Sequence, residues 1–251
     1  MNNKILKIKN LSFSYNDPKT NILNSIFVEF ASNEITGILG CNGSGKSTLL
    51  DCIMRLNNNY SGEILLHDKN VKGYSLNCYS KLIAYLPQSI NKAIDFKVKD
   101  FLLFGRAPYL LTCEVPRKED YERVCVYAER IGIIDLINKN FNELSGGEKE
   151  LVRIAKTLMQ ETEIILLDEP TASLDFGNQY KILDLLTELK KGGKTIIFTI
   201  HNPKQLLEYD FNVVVLNKAK IIAQGLANDV ISDEIIKMIY GDGFMINWAK
   251  I

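Results

Sequence analysis

The chain has 251 residues, of which 24% are charged, and its 30 Lys and Arg balance its 30 Asp and Glu, so the formal net charge is zero. Without a basic excess we expect no nucleic-acid partner, because binding to phosphate backbones depends on positive charge. No apolar run approaches the roughly 20 residues of a membrane-spanning helix, no signal peptide is visible, and the five cysteines lack C-x-x-C spacing. The composition predicts a cytoplasmic α/β protein without a zinc site.

The first third of the chain predicts mainly strands. Residues 4–15 and 22–30 alternate apolar and polar side chains, which is typical of half-exposed antiparallel strands. The continuous apolar run Ile35–Leu39 predicts a buried strand, and helical spacing of apolar residues follows it. Further strands are expected at Glu63–Leu66 and Leu82–Leu86.

After Pro87 the pattern becomes helical and then returns to buried strands. Helices are predicted over residues 97–111, 119–131, 148–160, 179–190 and 229–240, and buried strands over 164–167, 195–200 and 213–216. The predicted organisation is a single domain: a nucleotide-binding core of residues 1–87 and 160–225, a helical insert of residues 88–159, and a C-terminal helix and tail of residues 226–251.

A glycine-rich loop between the third predicted strand and the first helix has the spacing of a phosphate-binding loop, Gly-x4-Gly-Lys-Ser. The residues expected to contact a nucleotide are Gly40, Asn42, Gly43, Ser44, Gly45, Lys46, Ser47 and Thr48. Lys46 would bind the β and γ phosphates of ATP, and the Ser47 hydroxyl would bind Mg²⁺. A glycine turn with a chance Lys-Ser pair is the alternative, which the strand–loop–helix context disfavours.

Two carboxylates follow the buried strand Ile164–Leu167. Ligands bind at the carboxyl ends of strands in parallel sheets, which is where Asp168 would emerge. Asp168 can hold Mg²⁺, and Glu169 can orient or deprotonate the attacking water. The alternative is an acidic helix cap before Pro170 at the first helical position.

A paired-glycine turn opens the predicted helix at residues 148–160. Ser145 and Glu148 have the spacing of a capping box, so a well-capped helix without a ligand is one interpretation. Gly146 and Gly147 at a helix start are locally destabilising unless bare backbone must approach another group. The sequence therefore leaves a structural cap and a ligand-binding turn as alternatives.

The three segments in this order resemble the ATP-binding subunit of an ABC transporter. The resemblance implies a P-loop NTPase (RecA-like) core with an N-terminal antiparallel β subdomain and an inserted helical subdomain. Leu144–Glu148 is similar to the family's signature turn, which implies that Ser145, Gly146 and Gly147 bind the γ-phosphate held by the opposite subunit of a homodimer. The chain departs from the family's usual Gln-Arg at Glu150-Leu151, which puts the polar network of that helix in doubt.

The same resemblance assigns four single residues. It implies that Tyr15 stacks on adenine, that Gln88 senses Mg²⁺ and the γ-phosphate, that Asp175 passes between subunits, and that His201 contacts the γ-phosphate. With Lys46 and Glu169, Gln88 and His201 form the expected catalytic set. The alternatives are a core position for Tyr15, a surface position for Gln88, an ordinary turn at Asp175 and a structural role for His201.

The segment Val98–Tyr109, with its Gly-Arg-x-Pro-Tyr ending, is similar to ATPases of the iron-siderophore, haem and vitamin B12 importers. That similarity implies a membrane permease docked near Gln88 and Gly105–Tyr109, an extracellular substrate-binding protein as an indirect partner, and a location on the inner face of the cell membrane. A zinc or manganese importer, a soluble ABC ATPase without a permease, and an inactive binding cassette remain as alternatives. Intact Lys46, Glu169 and His201 argue against the last.

Overall fold

The computed structural model describes residues 3–15, 21–88, 95–111 and 114–241. In chain order the elements are β1 (Lys4–Phe13), β2 (Leu23–Ala31), β3 (Ile35–Leu39), α1 (Lys46–Ile53), β4 (Ser61–Leu66), β5 (Lys69–Asn70), α2 (Leu76–Leu82), β6 (Ile83–Leu86), α3 (Val98–Leu103), α4 (Lys118–Ile131), α5 (Gly146–Leu158), β7 (Ile164–Leu167), α6 (Phe176–Lys191), β8 (Thr195–Ile200), α7 (Pro203–Tyr209), β9 (Asn212–Asn217), β10 (Lys220–Leu226), α8 (Ala227–Val230) and α9 (Asp233–Tyr240). Two compact units result, one from residues 1–74 and 195–251 and one from residues 75–194.

An antiparallel sheet in the first unit has the strand order β2-β1-β4-β5. The alternation along β2 explains its burial: Ile26, Val28 and Phe30 are at most 2% exposed, whereas Phe27 is 59% exposed. Successive side chains of a strand point to opposite faces, so one face of β2 enters the core and the other meets solvent. The predicted antiparallel pairing of the first two strands is confirmed.

The first unit also contains parallel strands around β3. This strand pairs in parallel with β8 on one side and with β9 on the other, and all five of its residues are buried. Leu39 pairs with Ile200, so the residues that follow them, Gly40 and His201, leave the same edge of the sheet. The register therefore brings the glycine loop and the histidine together.

The second unit contains β6 and β7, which pair in parallel. Leu86 pairs with Leu167, so Gln88 and the Asp168-Glu169 pair leave one edge of this two-stranded ladder. The helices α3, α4 and α5 lie between these strands in the chain, and α5 buries an apolar face that includes Val152, Ile154 and Leu158.

Several elements differ from the predictions. Four elements were not predicted: β5, β10, α2 and α7. β5 and α7 are short, α2 has a polar sequence, and β10 contains no fully buried residue. The helix predicted over residues 97–111 ends at Leu103 and continues as a 3₁₀ helix to Tyr109, with Pro108 inside it. The C-terminal helix is divided into α8 and α9, because Ser232 caps a new helix.

The predicted division into core, insert and tail remains a prediction. The two compact units have other boundaries, because residues 75–87 and 160–194 pack with the helices of the insert. Residues 89–94 and 112–113 of the insert and residues 242–251 of the tail lie outside the described residues. None of the helices in the described part of the chain combines the length and apolar character needed to cross a lipid bilayer.

Candidate active site

The glycine loop passes directly from β3 into α1. Gly45 is the N-cap residue of α1 and has φ = 107°, a left-handed conformation that residues with a side chain rarely adopt. A Cβ atom at Gly45 would lie 2.7 Å from the carbonyl oxygen of Ile22. Both constraints require glycine at position 45. The loop therefore leads directly into the first turn of α1, whose N–H groups have no partner within the helix and would bind an anion.

Lys46 is only 5% exposed and its side chain folds back over the loop. Its Nζ donates hydrogen bonds to the carbonyl oxygens of Gly40 at 2.8 Å and Cys41 at 3.1 Å. It also lies 3.4 Å from Nδ1 of His201. Since an ammonium group can only donate, Nδ1 would be the acceptor in this contact. The predicted lysine and histidine are thus brought together.

Ser44 supplies an independent indication of a ligand. Its side chain is 4% exposed, and its Oγ has no hydrogen-bond partner among the described residues. Leaving a buried hydroxyl unsatisfied costs about 1–3 kcal/mol. A phosphate oxygen in the loop would satisfy this hydroxyl, so the loop fits the phosphates of a nucleotide.

Tyr15 lies beyond the end of β1 and is 58% exposed, whereas Phe13, which contacts it edge-to-face, is 5% exposed. Its hydroxyl is 3.3 Å from Oγ1 of Thr48, in the first turn of α1. The tyrosine is therefore beside the loop rather than in the core. Its exposed ring is available to a planar ligand.

Glu169 has φ = 54°, which is left-handed and unusual for a residue with a side chain. Such a conformation costs about 1–3 kcal/mol and is typical of functional sites. The Nε2 of Gln88 donates a 3.0 Å hydrogen bond to Oε2 of Glu169. The predicted glutamine and glutamate are therefore in direct contact.

Asp168 directly follows β7 and is 2% exposed, and its backbone N–H donates to the carbonyl oxygen of Leu86 at 2.8 Å. Among the described residues, no group of three or more His, Cys, Asp and Glu side chains could hold a metal ion. Mg²⁺ usually binds to one or two carboxylates together with substrate phosphates rather than in an all-protein cage. A buried carboxylate such as Asp168 fits that chemistry.

The paired-glycine turn forms the predicted capping box. The Ser145 N–H donates to Oε2 of Glu148 at 2.8 Å, and the Glu148 N–H donates to Oγ of Ser145 at 3.3 Å. The backbone N–H of Ser145 lowers the pKa of Glu148. Asp175 is likewise the N-cap of α6, and its side chain accepts a 2.9 Å bond from the Asn178 N–H, which lowers the pKa of Asp175.

Three residues at the site were missed or left unassigned by the sequence analysis. Arg153 donates hydrogen bonds to the carbonyl oxygens of Pro87 and Gln88 and forms a 2.5 Å ion pair with Glu150. The opposite charges three residues apart on a helix were a usable signal. The Tyr240 hydroxyl donates a 2.6 Å bond to the His201 carbonyl oxygen, and no sequence signal indicates this contact.

The comparisons with known proteins identify the family. A family model described as "ABC transporter" matches residues 23–172, more than half of the chain. The ferric enterobactin transport ATP-binding protein FepC of Escherichia coli is 32% identical and aligns with 98% of this chain and 91% of its own length. The chain belongs to the ABC transporter family.

Two further similarities support this assignment. The manganese transport system ATP-binding protein MntB of Listeria monocytogenes is 33% identical to this ABC protein, over 94% of the chain and 96% of the relative. The solved structure of cbiO1 from Clostridium perfringens, part of the ABC transporter complex cbiONQ, has a TM-score of 0.78 and 33% identity, covering 93% and 92% of the two chains. The predicted ABC ATPase and its P-loop NTPase fold are confirmed, and membership implies ATP hydrolysis coupled to transport.

Residues of the segment Gly105–Tyr109 of this ABC protein pack against, and hydrogen-bond to, neighbouring parts of the chain. Arg106 is 7% exposed, and it bonds Asp120 at 3.0 Å, Glu161 at 3.1 Å and the Met159 carbonyl at 3.0 Å. A Cβ at Gly105 would lie 2.3 Å from the Lys156 carbonyl oxygen. Gly105 and Arg106 therefore attach this segment to α4 and α5 and are not themselves available to a partner.

Proposed function

We propose that this ABC protein is the ATP-hydrolysing subunit of an importer that takes up chelated iron. The observation that carries the cargo class is the 32% identity to a ferric enterobactin transport ATP-binding protein over 98% of the chain. The similarity of Val98–Tyr109 to iron-siderophore, haem and B12 importers points the same way. Manganese is the second candidate, because MntB is 33% identical.

The described contacts support separate roles for individual residues in ATP binding and hydrolysis. Lys46 and the N–H groups of the loop would bind the phosphates of ATP, and the exposed ring of Tyr15 would stack on adenine. Glu169 would accept a proton from the attacking water, and Gln88 and His201 would position the reacting groups. Mg²⁺, held through Ser47 and Asp168, would neutralise charge on the phosphates.

Dimerisation is proposed from the exposed start of α5. A Cβ at Gly146 would have no heavy atom within 4 Å, and at Gly147 it would have only the Ser173 carbonyl oxygen at 3.7 Å. Because nothing in the described part of the chain requires glycine at Gly146, an external group that approaches the backbone is the better explanation. We propose that this group is the γ-phosphate of ATP bound to a second copy, so that ATP closes a homodimer.

Gly146→Leu tests this proposal. We expect the melting temperature to stay the same or rise slightly, since glycine at a helix position costs up to about 1 kcal/mol relative to better helix formers. ATP hydrolysis should fall by at least about tenfold, because the side chain blocks the backbone N–H groups that a partner's phosphate would use. Steady-state phosphate release and thermal unfolding measure the two effects.

The ATP affinity of the Gly146→Leu monomer is the control, and it should remain within about twofold of wild type because the glycine loop is unchanged. A variant that hydrolyses ATP normally and still forms ATP-dependent dimers would remove Gly146 from the interface.

A permease would dock on the exposed apolar side chains beside Arg106. Phe104 and Tyr109 are 46% and 37% exposed, and Leu111 is 76% exposed. Phe104 is supported edge-to-face by Phe96 and Phe101, which makes it a rigid contact. The permease would place the ATPase at the inner face of the membrane, with the extracellular binding protein as an indirect partner.

Leu111→Asp is expected to abolish co-purification of the ATPase with its permease, because it places a charge in an apolar contact. ATP hydrolysis by the isolated protein should be unchanged. Leu76→Asp is a matched control, since Leu76 is 75% exposed in the same unit. Equal loss of the permease in both variants, or in neither, contradicts the assigned surface.

The cargo is tested by transport. Cells that depend on this ATPase should accumulate radioactive iron supplied as a ferric siderophore, and cells carrying only Glu169→Gln should not. Radioactive manganese uptake should be the same in both. Loss of manganese uptake with normal iron uptake in the Glu169→Gln cells would make the protein a manganese importer subunit. ATP hydrolysis without any transport defect in those cells would favour a soluble ABC ATPase.

A further inference from the structure

A buried ion pair occupies the middle of α5. Glu150 and Arg153 are 6% and 7% exposed, and Oε2 of Glu150 lies 2.5 Å from Nη1 of Arg153. Burial raises the pKa of Glu150, whereas the charge of Arg153 opposes that shift. A buried ion pair needs additional hydrogen bonds to offset its desolvation, so the remaining donors of Arg153 indicate what the pair is for.

Those donors are directed at one short segment of backbone. Arg153 Nη1 donates to the carbonyl oxygen of Gln88 at 3.4 Å, and Nη2 donates to the carbonyl oxygen of Pro87. Two consecutive carbonyl groups are thus held by one planar guanidinium group, which fixes the direction of the chain better than a single bond would. Arg153 Nε has no hydrogen-bond partner among the described residues, so the guanidinium makes its contacts through Nη1 and Nη2.

The segment held by Arg153 carries the side chain that contacts the strained glutamate. The amide of Gln88 donates to Oε2 of Glu169 at 3.0 Å. A continuous series of contacts therefore connects Glu150 and Arg153 to Gln88 and then to Glu169. All of these residues belong to one compact unit.

We infer that Glu150 and Arg153 are positioning residues for ATP hydrolysis, which set the main chain at Gln88 so that its amide reaches Glu169. The inference rests on the proposed catalytic roles of Gln88 and Glu169. Arg153 lies seven residues after Gly146, about 10 Å along the same helix. The helix that carries the glycine turn therefore also fixes the backbone of the glutamine.

The pair also explains the departure from the usual Gln-Arg at Glu150-Leu151. In this chain the negative charge of Glu150 balances Arg153, whereas a neutral glutamine would leave the arginine as an uncompensated buried charge. Lys156, one turn further on, has its pKa lowered by burial and by the charge of Arg153. An additional cation in place of Leu151 would add to this positive cluster.

A double-mutant cycle tests the inference on the full-length chain. Arg153→Met should lower kcat for ATP hydrolysis by about 10- to 100-fold through displacement of Gln88, with the ATP dissociation constant within about twofold of wild type. In a Gln88→Ala background the same substitution should lower kcat by less than about twofold, because its effect passes through the missing amide. Arg153→Lys keeps the positive charge and one donor nitrogen, so its kcat should lie between those of Arg153→Met and wild type.

Controls separate positioning from loss of structure. Arg130→Met removes an arginine that pairs with Glu188 on the surface of the same unit, and it should leave kcat unchanged. If Arg153→Met does not fold, the same cycle is run with Glu150→Gln, which removes the balancing charge but keeps the side-chain volume. The decrease in kcat that Glu150→Gln causes should also disappear in the Gln88→Ala background.

Equal losses of kcat in the two backgrounds overturn the inference while leaving the role of Gln88 intact. Wild-type kcat in Gln88→Ala alone overturns the proposed role of Gln88, and the inference with it.

Discussion

Glu169→Gln is expected to bind ATP with near wild-type affinity but to lower kcat by about 10²–10⁴. The amide has nearly the same size as the carboxylate and can still accept the hydrogen bond from Gln88. It cannot take a proton from water, so the loss should fall on the chemical step. The near-isosteric amide should leave the left-handed backbone at Glu169, with φ = 54°, in place.

The same variant should accumulate ATP-bound dimers, because hydrolysis is the step that reopens the pair in the proposed cycle. Size-exclusion chromatography with and without ATP measures the dimer, and single-turnover phosphate release measures the chemistry. Glu188→Gln is the matched control, since this carboxylate is exposed and pairs only with Arg130 among the ion pairs described. Near-normal turnover in Glu169→Gln would remove Glu169 from the role of base.

The sequence predicts the strands well where burial is uniform or strictly alternating. Three strands have the predicted bounds, because short apolar runs rich in β-branched residues are typical of strands covered on both faces: Ile35–Leu39, Ile164–Leu167 and Thr195–Ile200. The missed β10 contains no fully buried residue, so its sequence lacks the alternation of buried and exposed side chains that marks β2. Its position follows from antiparallel pairing with β9, which is a tertiary contact.

The contacts of the candidate site follow from register as much as from motif. Lys46 and His201 are 155 positions apart, yet the pairing of Leu39 with Ile200 places their segments side by side. The motif order nominates the residues of the candidate site. The motif order could not predict that Arg153 donates hydrogen bonds to the Pro87 and Gln88 carbonyl oxygens, because that contact depends on how α5 packs.

Arg106 shows how much a local motif leaves open. The Gly-Arg-x-Pro-Tyr ending predicts a docking surface, which stays a prediction, and within it Arg106 forms ion pairs with Asp120 and Glu161. A local sequence cannot distinguish an arginine that faces a partner from one that faces Asp120 and Glu161, since both carboxylates are distant along the chain. The exposed side chains next to it, Phe104 and Leu111, are the better candidates for contact.

Lys46→Met is expected to weaken ATP binding by about 10²–10⁴. The ammonium group would make charge-assisted hydrogen bonds to the β and γ phosphates, and each such bond contributes about 1.5–3 kcal/mol. Lys46 Nζ donates to the Gly40 and Cys41 carbonyl oxygens at 2.8 and 3.1 Å. It therefore already lies over the loop, so little reorganisation offsets the gain on binding.

Titration calorimetry with Mg²⁺ and ATP measures this loss directly, and thermal unfolding supplies a second readout. A ligand that binds only the folded state raises its stability in proportion to the logarithm of its concentration over the dissociation constant. Wild type should therefore melt at a higher temperature with ATP, and Lys46→Met should not. Lys194→Met is the control, because Lys194 also donates to a backbone carbonyl, that of Glu161, but lies outside the loop. If Lys46→Met retains the ATP-dependent increase in melting temperature, the loop's backbone N–H groups alone hold the phosphates and the lysine is not required for binding.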